Sequence, residues 1–341
     1  LPILSNVLLE TSDTELTLTA TDLDVGIQCR FPLTSPIERG AIALPARKLT
    51  TIIQELPDEV VTLEAKKNQT ATVTCGTSNF RIPGLPAEDF PSLPAPQYQQ
   101  SVTIPQGTLK ALITQTAHAM SIEETRFILN GALLAAQKSE LVMVATDGRR
   151  LAVASAALGE AGKAPIQAVI PAKTVRELGR LLQAEDPDEV TMAPLKDNQL
   201  AFRFGSVTVI TRLIEGQFPQ YDKVIPGPSK QQLTCSRQAL INAIRRASLM
   251  TTAASQAVVF EVGRDHLVVS KESPELGSAR EELSVGYAGE PMTVAFNPEF
   301  WIDVLKVLEL EELRIELSGP DRPAVIRQPH FTYLVLPMKL A

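Results

Sequence analysis

Lys173, Arg176 and Arg180 fall at i, i+3 and i+7, so they share one face of a helix, while Val175, Leu178 and Leu182 take the other. A row of such cations contacts phosphates without reading bases, which is the chemistry of sequence-independent binding to a nucleic-acid backbone. Arg237, Arg245 and Arg246 repeat the theme beside Leu240, Ile241 and Ile244, in a segment without an acid. Lys110 is the only charge across 105–120, and Arg47 and Lys48 outnumber Glu55 across 46–56. A fifth segment, 298–309, is net acidic, with Lys306 against Glu299, Asp303 and Glu309. The whole chain carries a formal charge of −7, so positive charge is gathered on helical segments of an otherwise acidic protein. Two readings stand side by side: a helix-lined surface facing phosphates, or ordinary solvated helix faces.

The residues that would carry catalysis do not form a constellation. There is no phosphate-loop motif, no dinucleotide fingerprint, no paired-histidine zinc motif and no nucleophile elbow. His118, His266 and His330 are isolated. Asp22, Asp24 and Asp147 could be imagined as general acids or metal ligands, but Asp147-Gly148 is first a turn signal closing a hairpin. Cys29, Cys75 and Cys235 are far apart and odd in number, which argues against a disulfide framework and a zinc site and for a reducing cytoplasm. The expectation is a binding protein with no catalytic residue, no metal and no cofactor. The chain shows no signal peptide and no membrane-length apolar run, and it does not open on Met, so part of the N-terminus is expected to be missing.

The elements that position these residues repeat. Three strand-like runs match: ELTLTATD (Glu15–Asp22), ELVMVATD (Glu140–Asp147) and DHLVVSKE (Asp265–Glu272). Each is followed by a strand running into proline and an amphipathic helix: from Ala43-Leu44-Pro45, from Val169-Ile170-Pro171 and from Phe296-Asn297-Pro298. Phe-Pro pairs recur at 90–91 and 218–219, before Pro- and Gln-rich linkers at 91–100 and 226–232. Helices are predicted at 46–56, 105–120, 172–183, 236–249 and 298–309, and a strand over the opening LPILSNVLLE. The chain therefore reads as α+β, in three repeated domains spanning 1–98, 101–227 and 230–341.

LPARKL, RFILNGALL, ATDGRRLAV, FPQYDKVIP and the terminal YLVLPMKL closely resemble the bacterial DNA polymerase III beta subunit, along the whole chain. The resemblance implies three clamp-type domains, each with two helices packed on antiparallel sheets, assembling head to tail as a homodimer into a six-domain ring around duplex DNA. It implies that the first domain lacks its opening strand and helix. Its partners would be duplex DNA, the polymerase alpha subunit, the clamp loader and other proteins bearing a clamp-binding motif. The implied peptide pocket comprises Leu129, Thr146, Gly148, Arg149, Arg150, Leu151, Pro219, Val224, Leu334, Val335, Leu336, Pro337 and Met338. The DNA-facing set joins Arg47, Lys48 and Arg126 to Lys110, Lys173, Arg176, Arg180, Arg237, Arg245 and Arg246. The dimer contact would set Phe80 and Ile82 against Leu249 and Met250 of another copy. In the loop at 123–128 the family pattern has a glutamine and two tyrosines, whereas this chain has Glu123, Phe127 and Ile128, which should weaken phosphate contact there. The competing functions are a nucleic-acid-processing enzyme with an unrecognised site, and a peptide-binding scaffold that ignores DNA.

Overall fold

The computed structural model describes residues 1–33, 38–137, 139–159, 165–185 and 188–339. The first repeat runs β1 (Asn6–Thr11), β2 (Glu15–Thr21), β3 (Val25–Pro32), β4 (Gly40–Pro45), α1 (Ala46–Glu55), β5 (Thr62–Lys66), β6 (Thr70–Cys75) and β7 (Ser78–Pro83). The second runs β8 (Val102–Pro105), α2 (Gln106–Thr116), β9 (Gly131–Gln137), β10 (Glu140–Thr146), β11 (Arg150–Ala157), β12 (Ile166–Pro171), α3 (Ala172–Leu181), β13 (Glu189–Leu195), β14 (Gln199–Phe204) and β15 (Val207–Arg212). The third runs β16 (Gln232–Ser236), α4 (Arg237–Ser248), β17 (Val258–Val262), β18 (His266–Ser273), β19 (Gly277–Ser284), β20 (Gly286–Ala288), β21 (Met292–Phe296), α5 (Pro298–Val307), β22 (Glu312–Leu317), β23 (Ala324–Gln328) and β24 (Phe331–Val335).

The sheets cross from repeat to repeat. One has the order β4-β1-β2-β3-β15-β14-β13-β8, another β12-β9-β10-β11-β24-β23-β22-β16-β20, with smaller sheets β19-β18-β17-β21 and β5-β6-β7. Compact units consequently divide the second repeat: Leu1–Gln106 with Pro187–Leu213 form one, Gly107–Asp186 with Ile214–Ala341 the other.

Local chemistry sets the element ends. Ser236 accepts a hydrogen bond from the Ala239 amide and caps α4, and Asn297 does the same for the Glu299 amide with Pro298 following in the first turn of α5. Pro45 and Pro171 sit one position earlier, as the N-caps of α1 and α3. The α2 helix stops at Thr116 and tightens into a 3-10 turn at Ala117–Ala119, short of the Met120 end read from periodicity. The opening residues also depart from the expected strand: Pro2–Ser5 form a 3-10 turn, which Asn6 holds by donating to the Pro2 and Ile3 carbonyls.

The Thr-Asp runs build the same turn twice. Asp22 Oδ1 accepts from the amides of Asp24 and Val25 at 3.1 and 2.9 Å, and Asp147 Oδ1 accepts from those of Arg149 and Arg150 at 2.9 and 2.9 Å. Thr21 Oγ1 accepts from the Leu23 amide as Thr146 Oγ1 does from that of Gly148. These aspartates are turn formers. The turn needs a positive φ at its centre: 84° at Gly148, and 79° at Leu23, where a side chain is strained. Leu23 is exposed. Leu23→Gly is therefore expected to raise stability by about 1 kcal/mol, strain relief outweighing the added backbone freedom of the unfolded chain. Urea unfolding would show it; an unchanged or lower midpoint would mean the turn tolerates leucine.

Candidate peptide cleft and nucleic-acid interface

Pairing of β11 with β24 builds the first candidate site. Arg150 lies opposite Val335 and Leu151 opposite Leu334, and the Leu336 amide extends the ladder by donating to the Arg149 carbonyl at 2.8 Å. The ATDGRRLAV run and the chain end are thus brought side by side. Leu129, Leu151 and Leu334 enter one apolar cluster with Val144, Ile214 and Phe218, and Ile128, Tyr221 and Ile225 pack half-buried against it. Pro219, Val224 and Leu336 stay exposed. Val335, on the opposite face of β24 from Leu334, is fully buried. Met338 donates its amide to the Ala295 carbonyl and lines a separate recess with Pro320 and Asp321. Thr146 and Gly148 shape the turn; a Cβ at Gly148 would come within 2.2 Å of Arg126 Nη1.

Arg150 is the most constrained of these residues. Its guanidinium pairs with Asp147 at 3.0 Å and Asp303 at 2.8 Å, lies 4.4 Å over the Phe300 ring, and its side chain is only 11% exposed. The Tyr333 hydroxyl donates to the Phe300 carbonyl at 2.8 Å, fixing α5 against β24. Phe300 and Asp303 were invisible as site residues in the sequence. Their i, i+3 spacing on a helix was the available signal, but nothing local tied them to Arg150.

His118 stacks 5.5 Å from the Tyr333 ring, and its pKa is lowered from 6.5 to about 4, first by burial and then by the Arg150 charge. The folded state thus holds this histidine neutral while the unfolded chain protonates it, so stability is lost as pH falls from 6.5 towards 4. The contribution is roughly 3 kcal/mol. His118→Gln should flatten the stability–pH curve in that window relative to the parent; parallel curves would show that the imidazole is not held neutral.

The second candidate site lies on helix faces. Val175 and Leu178 of α3 are buried and Lys173, Arg176 and Arg180 exposed, and α4 buries Leu240, Ile241 and Ile244. Arg47, Lys48, Arg176 and Arg245 are exposed and, among the described residues, have no carboxylate partner. Arg180 pairs with Glu177 at 3.3 Å, and Arg246 pairs with Glu281 of β19. Two cations expected at phosphates are engaged with carbonyls. Lys110 Nζ donates at 2.8 Å to the carbonyl of Leu182, the C-cap of α3, and Arg237 donates to the carbonyls of Leu305 and Leu310 around the end of α5. Each is a staple between the two helices of its repeat, neutralising the carbonyl end of the second helix. In the loop at 123–128, Arg126 donates to the Asp147 carbonyl at 3.0 Å, and Glu123 lies 3.8 Å from Arg126 and 3.7 Å from Arg149. Phe127 is exposed and Ile128 packs on the apolar cluster.

Of the four residues expected at a dimer contact, Phe80 and Leu249 are exposed, Met250 is half-buried and Ile82 is buried. Among the described residues no group of three or more His, Cys, Asp or Glu side chains could hold a metal ion, and no helix is long and apolar enough to cross a membrane.

Tandem α+β repeats with sheets shared between repeats, cationic helix faces and an apolar cluster under the β11–β24 pairing define a repeat-built protein. The chain matches the N-terminal, central and C-terminal domains of the DNA polymerase III beta subunit over residues 1–94, 103–220 and 222–339. It is 33% identical to the beta sliding clamp of Pseudomonas putida and 34% identical to that of Escherichia coli, covering all of this chain and 93% of each relative. A crystal structure of the DNA polymerase sliding clamp from Pseudomonas aeruginosa with ligand superposes with a TM-score of 0.93 at 33% identity, covering 100% of this chain and 93% of that one. The sliding clamp of Bacillus subtilis gives 0.93 at 30% identity, with 100% and 93% covered. The chain belongs to the DNA polymerase III beta subunit family, the bacterial DNA sliding clamps. It is a non-catalytic processivity subunit, of a family that binds DNA, the polymerase and other clamp-binding proteins and forms homodimers.

Proposed function

We propose that Arg47, Lys48, Arg176 and Arg245 are the principal phosphate contacts of this clamp, with Lys173, Arg180, Arg246 and Arg126 adding to the field, and that the cleft beside the β11–β24 junction receives the apolar motif of partner proteins. The observation that carries the first assignment is the exposure, on helices with buried opposite faces, of cations that have no carboxylate partner among the described residues. The second rests on Leu129, Leu151 and Leu334 converging beneath exposed Leu336, Pro219 and Val224. Arg149 and Arg150, the Thr146–Gly148 turn and Pro337 frame that cleft; Val335 supports it from behind. The complex of the Pseudomonas aeruginosa clamp with griselimycin fits a family with a ligand-accepting surface. The proposed domains span 1–98, 101–227 and 230–341, and the place of work is the cytoplasm, where replication occurs.

The sheet order supports a head-to-tail dimer. The third strand of repeat one, β3, pairs with β15, the last strand of repeat two; β11, the third of repeat two, pairs with β24, the last of repeat three. By the same rule β19 calls for the last strand of a further first repeat, and both β19 and β7 are sheet edges. A second copy supplies β7, and two such contacts close a ring. Phe80, on β7, would meet Leu249 and Met250 of the other copy, while buried Ile82 holds β7 in place. Phe80→Asp is expected to weaken the dimer about 10- to 100-fold in sedimentation velocity; unchanged association would remove β7 from the interface.

The decisive experiment loads the protein onto nicked circular DNA with its loader and washes with high salt. A topologically linked ring stays on circles and leaves when they are cut, since phosphate contacts are already screened. Release from intact circles by salt alone would mean plain electrostatic binding.

A further inference from the structure

The β3–β15 junction repeats the β11–β24 junction, each beneath a segment that follows a Phe-Pro pair. Gly26 opposite Ile210 stands where Leu151 stands opposite Leu334. At this junction the linker fills the apolar position itself: a Cβ on Gly26 would come within 2.4 Å of Leu93 Cδ2. A recess of about 80 Å³ lies there. Further along the same strands lies an open cleft of about 630 Å³ with a different character, a size that suits a short peptide segment.

Two arginines line this cleft. Arg30 is engaged: it donates to Gln28 Oε1 at 3.1 and 3.0 Å and lies 3.8 Å from Glu15. Arg203 is not. Its guanidinium stacks 4.0 Å from the centre of the Tyr98 ring and, among the described residues, has no carboxylate partner. The ring contact restrains the guanidinium, and its N–H groups can pair with an anion. Pro94 and Pro96 give the cleft a stiff apolar wall.

We propose that this cleft is a second peptide-docking site, taking an extended segment of a partner protein whose acidic side chain pairs with Arg203 while small apolar side chains lie along Pro94 and Pro96. The charge carries the choice of occupant: Glu15, also in the lining, offsets Arg30 and leaves Arg203 as the uncompensated cation of the cleft in a chain of net charge −7, with the leucine-sized position already filled from within. The peptide class of the occupant rests on the reading of the β11–β24 cleft; the site itself does not.

The test uses the full-length protein and a fluorescein-labelled, end-blocked pentapeptide of alternating aspartate and leucine, followed by anisotropy at low salt. Saturable binding is expected, weakened about tenfold by Arg203→Ala, partly retained by Arg203→Lys and unaffected by Leu336→Ala. Thermal melts confirm that the variants fold. Equal affinity for parent and Arg203→Ala, or no saturation at millimolar protein, overturns the proposal. Loss with Leu336→Ala alone also overturns it, placing the probe in the other cleft. Should an apolar peptide ignore Leu336→Ala, the β11–β24 reading fails while the Arg203 comparison still decides this one.

Discussion

Changing Arg176, Arg180, Arg245 and Arg246 together to alanine is expected to cut affinity for linear duplex DNA at low salt by roughly 100-fold and to lower the slope of log affinity against log salt by about 2 to 4. Each phosphate contact contributes about 0.9 to that slope, because each releases condensed counterions. The lower bound assigns the effect to Arg176 and Arg245, which have no carboxylate partner among the described residues. Arg180 and Arg246 add less, since Glu177 and Glu281 already hold them. All four side chains are exposed, so the unfolding midpoint should barely move. Lys110→Ala and Arg237→Ala should show the reverse: little change in salt slope and a loss of stability, because they hydrogen-bond helix-end carbonyls. An unchanged slope in the quadruple variant would sink the electrostatic assignment and favour a scaffold that binds peptides alone.

Arg150→Ala is expected to cost about 3 kcal/mol of stability. The guanidinium is nearly buried between Asp147 and Asp303, and removing it leaves two carboxylates without a counter-charge, one of them only 16% exposed. Breaking a buried pair costs about 3–5 kcal/mol; the 35% exposure of Asp303 argues for the lower end. Arg150→Lys should recover only part, because a point charge cannot bridge two carboxylates as a planar fork does while also sitting over Phe300. A double-mutant cycle with Asp303→Asn isolates the pair across α5 and β11. Affinity for apolar peptides should fall in parallel, since the same side chain holds the Asp147 turn beside Leu151 and Leu334. A cost below about 1 kcal/mol would mean the pair is screened like a surface salt bridge.

Local order was legible in the chain itself. The runs ending in Thr-Asp announced strands and turns, and the hydrogen bonds of Asp22 and Asp147 show why that dipeptide recurs. The i, i+3, i+7 spacing in α3 and the apolar stripe of α4 fixed which faces turn inward, since helical geometry alone sets them. The family, too, could be read from motifs spread along the chain.

What the chain could not state is which strand of one repeat meets which strand of the next. Periodicity shows a strand's faces but not its neighbour, and neighbours far apart in sequence leave no local trace. Only the tertiary structure joins β3 to β15 and β11 to β24, and so draws the compact units through the middle of the second repeat. The same non-local packing brought Lys110 and Arg237 onto helix-end carbonyls and set Phe300 and Asp303 around Arg150. A cation's sequence spacing gives its direction from the helix axis; whether it meets solvent or a neighbouring carbonyl is decided by what packs beside it.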